Sequence, residues 1–346
     1  NDWSKDVLQK VQNTADFLII HDYFRRKPNP NNVTYQEMLN SISEVQQNVS
    51  NVNNMVTNYT SKPSGYFPIA MTEFNSKTGE REISMANAIF ISQVLCEQIK
   101  NNIGMSLLWS FQNGLDSHGG DHGMTARNST IVQNNTPRPV YYAYYYISKF
   151  FGDKLVFSYS NDPDINCYIS TFSSGEIGMV VINTSQVNKT IEFSSTSSFT
   201  KDNFYWYEIN ALDETDKKIY VNELTTSNQE GGPNFNNVPA FYRPVNGNYK
   251  FIIKPYSVNF IANSNDLTST DNIRNLEIEV YPNPFNEFIN INQNYDYLKL
   301  FDISGNLVLK STDKNLDTSL LKEGIYILKL YKSNLSSEVK VIKIKK

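Results

Sequence analysis

The chain has 346 residues, 40% hydrophobic and 19% charged, which is enough apolar material for two or three packed domains and too little charge for a disordered chain. A formal net charge of −4 argues against a nucleic-acid partner, and no run of about 18 apolar residues is present to span a membrane. The two cysteines, Cys96 and Cys167, exclude a disulfide framework and a cysteine-type zinc site, and both are read as buried small hydrophobes.

Helix and strand signals alternate over the first 150 residues. Residues 4–12 read as the end of a helix, and residues 15–20 are a short apolar run of the kind found in parallel strands buried on both faces. That run ends in His21-Asp22-Tyr23. Thr34-Tyr35-Gln36-Glu37 is a capping box, opening a helix with Leu39, Ile42, Val45, Val49, Val52, Val56 and Tyr59 on one face. A second buried strand, 67–71, ends in Thr72-Glu73-Phe74-Asn75, and a helix over about 82–101 places Ile83, Ala86, Phe90, Val94 and Ile99 inward. A third strand, 104–109, ends in Ser110-Phe111-Gln112-Asn113-Gly114. Pro139 suits a first helical turn, and the helix it opens carries five tyrosines, Tyr141, Tyr142, Tyr144, Tyr145 and Tyr146.

This alternation predicts a parallel sheet with right-handed crossovers, part of a doubly wound sheet or of a (β/α)8 barrel. No glycine-rich phosphate loop follows any of the three strands, which weakens the nucleotide-binding option. Each strand instead ends in a polar or aromatic cluster, as barrel enzymes require.

From about Gly152 short alternating strands take over, at 177–182, 190–193, 204–209 and 249–253, predicting an antiparallel sandwich over 153–262. A polar stretch at 263–274 reads as a linker. A third, all-strand unit covers 275–346, with alternation at Leu276, Ile278 and Val280, a rigid turn at Tyr281-Pro282-Asn283-Pro284-Phe285, a hairpin turn at Ser304-Gly305-Asn306, and a basic last strand at 339–346.

That third unit resembles the type A sorting domain of Bacteroidetes type IX secretion substrates. The resemblance rests on Val280-Tyr281-Pro282-Asn283-Pro284-Phe285, Leu300-Phe301-Asp302-Ile303-Ser304-Gly305, Leu321-Lys322-Glu323-Gly324-Ile325-Tyr326 and the lysine-rich end, in that order. It implies the type IX machinery as a partner and delivery to the cell surface or medium. The first 265 residues resemble the C-terminal part of clan A glycoside hydrolases, the arabinofuranosidase and xylosidase families among them. Asp16 to Tyr23 matches barrel strand six, Ile69 to Asn75 strand seven and Ser106 to Gly114 strand eight, with the last barrel helix running from Arg138 to Asp153.

The fold expected is therefore multidomain: the last three βα units of a (β/α)8 barrel in 1–152, then the antiparallel sandwich, then the sorting domain. The resemblance implies a retaining glycosidase of plant or algal polysaccharide, with no cofactor. Such enzymes use two carboxyl groups about 5–5.5 Å apart, one as nucleophile and one as acid/base. Glu73, at the end of the second strand, matches the nucleophile. The acid/base of the clan sits in an Asn-Glu pair ending strand four, and the only such pairs here, Asn222-Glu223 and Asn286-Glu287, lie in the later domains. The proton donor and strands one to five are thus expected outside this chain, which would begin inside a longer protein and be inactive by itself.

All three histidines, His21, His118 and His122, follow predicted strands of the first domain. His21 and Tyr23 are candidates to bond the nucleophile or the sugar, Trp109 to stack on the sugar, and Asn75, Asn113, His118 and His122 to contact substrate. The loop Asp116-Ser117-His118-Gly119-Gly120-Asp121-His122-Gly123 has the residues of a metal site, but reads better as a polar substrate loop. A different class of function, a non-catalytic carbohydrate-binding or adhesive surface protein, fits the same organisation; an Asn-Glu pair upstream of Glu73 in the gene would decide for the enzyme.

Overall fold

The computed structural model describes residues 2–194, 201–245, 249–265, 280–291, 295–332 and 335–345. Helices and parallel strands alternate first: α1 (Asp2–Val11), β1 (Leu18–Phe24), α2 (Tyr35–Asn40), α3 (Glu44–Tyr59), β2 (Ile69–Ser76), α4 (Met85–Lys100), β3 (Ile103–Leu108) and α5 (Pro139–Phe150). The capping box forms as read, Thr34 Oγ1 accepting from Glu37 N at 3.2 Å and Glu37 Oε2 from Thr34 N at 3.0 Å. The single helix expected beyond it divides at a 3-10 turn, Ser41–Ser43. There the buried Ser41 hydroxyl donates to Met38 O at 2.7 Å, a side-chain bond that competes with the helical ladder.

The three parallel strands pair in the order β1-β2-β3. One line of side chains, through Ile20 and Met71, faces the helices. The opposite line runs through Ile19, Ala70 and Met105, and here Ile19 is 56% and Met105 48% exposed. These strands, expected to be buried on both faces, are thus covered on only one by the described residues. Helix α4 is enclosed, with every residue from Met85 to Cys96 buried, as a helix apolar all round must be; Ile99, expected inward, is exposed on its last turn.

The antiparallel strands are β4 (Lys154–Val156), β5 (Ile165–Thr171), β6 (Ile177–Asn183), β7 (Lys189–Glu192), β8 (Asn203–Asn210), β9 (Tyr220–Val221), β10 (Phe241–Pro244), β11 (Lys250–Ile253) and β12 (Ser257–Ser264). One sheet runs β10-β8-β12-β6-β5-β4 with β9 beside β8, and β7 and β11 form a separate ribbon. Alternation along β6 sets the layers. Val180 and Ile182 join Tyr207, Val258 and Phe260 in the core shared with α4 and α5, while Met179 and Val181 join Phe204, Phe251 and Ile253 on the ribbon side. Helices cover one face of the large sheet, and the two-stranded ribbon packs on the other. Strand β12 also extends through Asn263 and Ser264, two residues into the stretch read as a linker, and Asn263 is fully buried there. Residues 266–279, which include Leu276 and Ile278, lie outside the described residues.

The tyrosine run of α5 fastens the parallel layer to this sheet. Tyr146 stacks on Tyr207 with centroids 4.6 Å apart, Tyr142 on Phe235 at 4.4 Å, and the Tyr142 hydroxyl donates to Pro233 O at 2.9 Å. Each such aromatic pair is worth about 0.5–1.5 kcal/mol beyond its burial. These rings are packing elements and offer no free face to a sugar.

Residues 267–346 form a separate compact unit of β13 (Val280–Tyr281), β14 (Phe288–Ile291), β15 (Tyr297–Asp302), β16 (Leu307–Ser311), β17 (Asn315–Asp317), β18 (Gly324–Lys332) and β19 (Leu335–Lys343). Its sheets, β13-β14-β17 and β16-β15-β18-β19, share a core of Phe285, Ile289, Leu298, Leu300, Leu328, Leu330 and Val341. The Pro-Asn-Pro-Phe turn docks on the last strand: Asn283 Nδ2 donates to Lys340 O and Asn283 Oδ1 accepts from Ile342 N, both at 3.0 Å, and Phe285 N donates to Ile342 O at 2.8 Å. Gly305, at φ +82°, closes the β15–β16 hairpin in the left-handed region that suits glycine.

Where α5 meets β6 the backbones touch. A Cβ on Gly178 would lie 1.9 Å from Phe150 O, a carbonyl that the C-terminal turn of α5 cannot withdraw. Gly178→Ala is expected to lower stability by about 1–3 kcal/mol or more, read as the urea unfolding midpoint; an unchanged midpoint would mean that the helix is free to move away.

Candidate active site

The site is built where β1, β2 and β3 end. Between β1 and β2 the pairing runs in step through Ile20 with Met71, then skips Thr72, so that His21 pairs with Glu73. This irregularity turns Glu73 onto the same side as His21 and Tyr23. The Tyr23 hydroxyl donates to Glu73 Oε1. His21 Nδ1 lies 3.7 Å from Glu73 Oε2, and its Nε2 lies 2.9 Å from Thr72 Oγ1. Burial and the Glu73 carboxylate beside it push the Tyr23 phenol well above its ordinary range, so it stays a proton donor through neutral and mildly alkaline pH. Glu73 therefore has one oxygen held by a phenol and the other turned toward a half-exposed imidazole.

Beneath this group lies Asn75, two residues on and fully buried. Its Nδ2 donates to Trp109 O at 2.7 Å and to His122 O at 3.1 Å, and its Oδ1 accepts from Ser76 N at 2.8 Å. Asn75 ties the end of β2 to the end of β3 and to the following loop, and offers nothing to the open face. Trp109 is 46% exposed, on the side of β3 that also carries Met105 and Leu107.

His122 packs its ring on Tyr23 with centroids 5.1 Å apart, and its Nε2 lies 3.3 Å from Glu82 Oε2. Glu82 is 1% exposed, and its Oε1 accepts from Thr78 N at 2.9 Å and Gly79 N at 3.1 Å. It backs the histidine and cannot itself face a substrate. Asn113 is exposed on the loop after β3. His118 is bonded through its backbone: its N–H donates to Asp116 Oδ1 of the same loop at 2.8 Å, and its carbonyl accepts from Asn31 Nδ2, after β1, at 3.0 Å.

The aspartates that made this loop a candidate metal site are engaged elsewhere. Asp116 Oδ1 also accepts from Gly120 N at 3.0 Å. Asp121 Oδ1 accepts from Gly114 N at 3.0 Å and Gly123 N at 2.7 Å, while its Oδ2 pairs with Arg138 at 3.0 Å. Arg138 completes a buried triad through Glu230 Oε2, also at 3.0 Å. Thr72, Glu82, Arg138 and Glu230 all shape the site, and none was singled out in the sequence. Their roles depend on a skipped register and on contacts as distant as residues 138 and 230.

The first unit shares its fold with α-L-arabinofuranosidases. The GH51 enzyme from Thermotoga petrophila RKU-1 is 16% identical with a TM-score of 0.53, over 75% of this chain and 55% of that one. The enzyme from Thermotoga maritima, in its arabinose complex, gives 16% and 0.51 over the same shares. The GH51 arabinofuranosidase from Xanthomonas axonopodis pv. citri gives 10% and 0.51, again over 75% and 55%. The chain thus spans about half the length of these neighbours. Residues 279–345 match the family of secretion system C-terminal sorting domains. The protein is accordingly a substrate of type IX secretion, delivered to the cell surface or the medium. No curated protein matches the chain. Among the described residues, no helix is long and apolar enough to cross a membrane.

The Arg138 triad offers a direct test of what holds the loop. Arg138→Met would leave two carboxylates buried without a counter-charge, and is expected to cost about 3–5 kcal/mol in chemical denaturation. A loss below about 1 kcal/mol, the range of exposed pairs, would contradict a buried triad.

Proposed function

We propose that the protein is a secreted retaining glycoside hydrolase acting on plant or algal polysaccharide, with Glu73 as the nucleophile. The observation that carries this reading is the placement of Glu73: a carboxylate at the C-terminal end of a parallel strand, with Tyr23 donating to one oxygen and the other on an open face. Active sites of barrel enzymes occupy that end of the sheet. A nucleophile attacking an anomeric carbon must be fixed in position, and Asn75, two residues on, ties this stretch of β2 to the Trp109 and His122 carbonyls.

On this reading β1, β2 and β3 are the sixth, seventh and eighth strands of a (β/α)8 barrel. Their open line of Ile19, Met105 and Leu107 is then the barrel interior, and the proton donor stands on strands outside this chain, about 5–5.5 Å from Glu73 in the complete protein. Within the chain Glu82 cannot take that part, since it is buried behind His122. Trp109 forms the sugar platform, and His21, His122 and Asn113 line the sugar site. His118, bonded through its backbone, would meet substrate from its loop.

In the complete protein, Glu73→Gln is expected to lower turnover by about 10³-fold or more with the melting temperature unchanged. Azide should restore cleavage of an activated aryl glycoside to Glu73→Ala by taking the place of the missing carboxylate. Turnover in Glu73→Gln within about tenfold of the parent would remove Glu73 from the reaction. Deletion of residues 279–345 is expected to hold the protein in the periplasm of a type IX-competent host, measured by cell fractionation; surface or medium delivery of the truncated protein would show that another segment directs export.

A further inference from the structure

A second polar-and-aromatic cavity, of about 400 Å³, lies in the antiparallel half of the first unit, away from the ends of β1–β3. Trp206 and Phe241 line it side by side, with ring centroids 5.3 Å apart. Glu208, Asn210, Glu223 and Lys254 supply its polar groups. Lys254 Nζ lies 3.1 Å from Glu208 Oε1 and 3.7 Å from Glu223 Oε1, and Lys254 N donates to Glu208 Oε2 at 3.1 Å. Asn210 is 6% exposed, and its carboxamide oxygen has no hydrogen-bond partner among the described residues. A buried acceptor left so is costly unless a ligand or water meets it.

The turn that carries Glu223 to the rim is strained. Val221 N donates to Leu224 O at 2.8 Å and Leu224 N to Val221 O at 3.0 Å, closing a two-residue turn in which Asn222 has φ +45° and Glu223 φ +71°. Asparagine tolerates that region, but the second position suits glycine. Asn222 clamps the turn, its Oδ1 accepting from Glu208 N at 2.8 Å and its Nδ2 donating to Pro239 O at 2.8 Å. A carboxylate kept where glycine would be more stable points to use of its side chain.

We propose that this cavity is a second carbohydrate-binding site, one that takes a neutral sugar ring of the polysaccharide. The apolar face of a sugar fits against one ring, with the other tilted 51° to it at the side. Its hydroxyls, each a donor and an acceptor, match the carboxylates and the ammonium that line the cavity. A purely apolar ligand would leave those groups desolvated. Two carboxylates against one ammonium repel an anion, and Lys254 already occupies the place a cation would take. The site requires nothing of Glu73, so it stands or falls separately from the hydrolase reading.

The test is affinity electrophoresis of the whole chain in gels containing arabinan, arabinoxylan or xyloglucan. At least one polysaccharide is expected to retard the parent protein. Trp206→Ala and Glu223→Gly should each weaken that retardation about tenfold. Trp206 also packs on Phe251, so its removal costs stability; Glu223→Gly relieves the turn and should melt no lower than the parent, which keeps its loss of binding readable. Trp109→Ala removes only the platform of the other site, so the retardation that remains in it should be lost when Trp206→Ala is added. Three results would each overturn the proposal: no retardation in any gel, undiminished binding by both cavity variants, or binding lost in Trp109→Ala and kept in the cavity variants. The last would place binding at the Glu73 site and leave the hydrolase reading intact.

Discussion

Thr72 is the residue that β2 carries beyond what its neighbours can pair. Up to Met71 the strand keeps step with β1, and beyond it Glu73 stands opposite His21. Side chains on a regular strand alternate between faces, so without the extra residue Glu73 would fall on the side of Met71, against the helices. With it, the carboxylate joins His21 and Tyr23 above the sheet. Irregularities of this kind re-aim a side chain at a sheet end and are rarer in parallel pairs than in antiparallel ones. The Tyr23 phenol, the His21 imidazole and the exposure of Glu73 all follow from this one change of register.

A local irregularity holds only if its surroundings determine it. Here a buried carboxamide and a buried ion triad do so. Asn75 joins the ends of β2 and β3 to the carbonyl of His122, and Asp121, Arg138 and Glu230 pin the same loop to the loop between β9 and β10. The aromatic face of α5 completes the connection, since Tyr146 packs on Tyr207 of β8 and Phe260 of β12. The antiparallel half thus does more than follow the parallel layer along the chain: its β9–β10 loop supplies Glu230, and its strands supply the rings against which the site is braced.

Much of this was legible in the sequence where the signal is local. The capping box at Thr34 and Glu37, the apolar runs of β1, β2 and β3, the proline opening α5 and the ordered motifs of the sorting domain all depend on residues close together. What was not legible depends on distant partners. Nothing around Glu230 indicates that it meets Arg138, and nothing in Met71-Thr72-Glu73 marks a skipped register. Asn75 has the composition of a substrate ligand and the burial of a brace, a difference that only its two carbonyl partners reveal. The packing of the α5 tyrosines was equally hidden, since a ring that stacks on protein and a ring that stacks on sugar are the same residue in a sequence. Asn263, polar and next to a polar run, read as linker, although its carboxamide bonds to Lys201 O and Asn203 O inside the sheet.

The central claim is that Glu73 attacks carbon, and trapping tests it most directly. A mechanism-based glycosyl epoxide, which is opened by the catalytic nucleophile and stays attached to it, can be applied to the complete protein and the labelled peptide identified by mass spectrometry. The account predicts a single ester on Glu73, prevented by excess substrate and formed more slowly in Tyr23→Phe, where the carboxylate has lost its phenol. A label on any other carboxylate, in protein that cleaves its substrate, would contradict it.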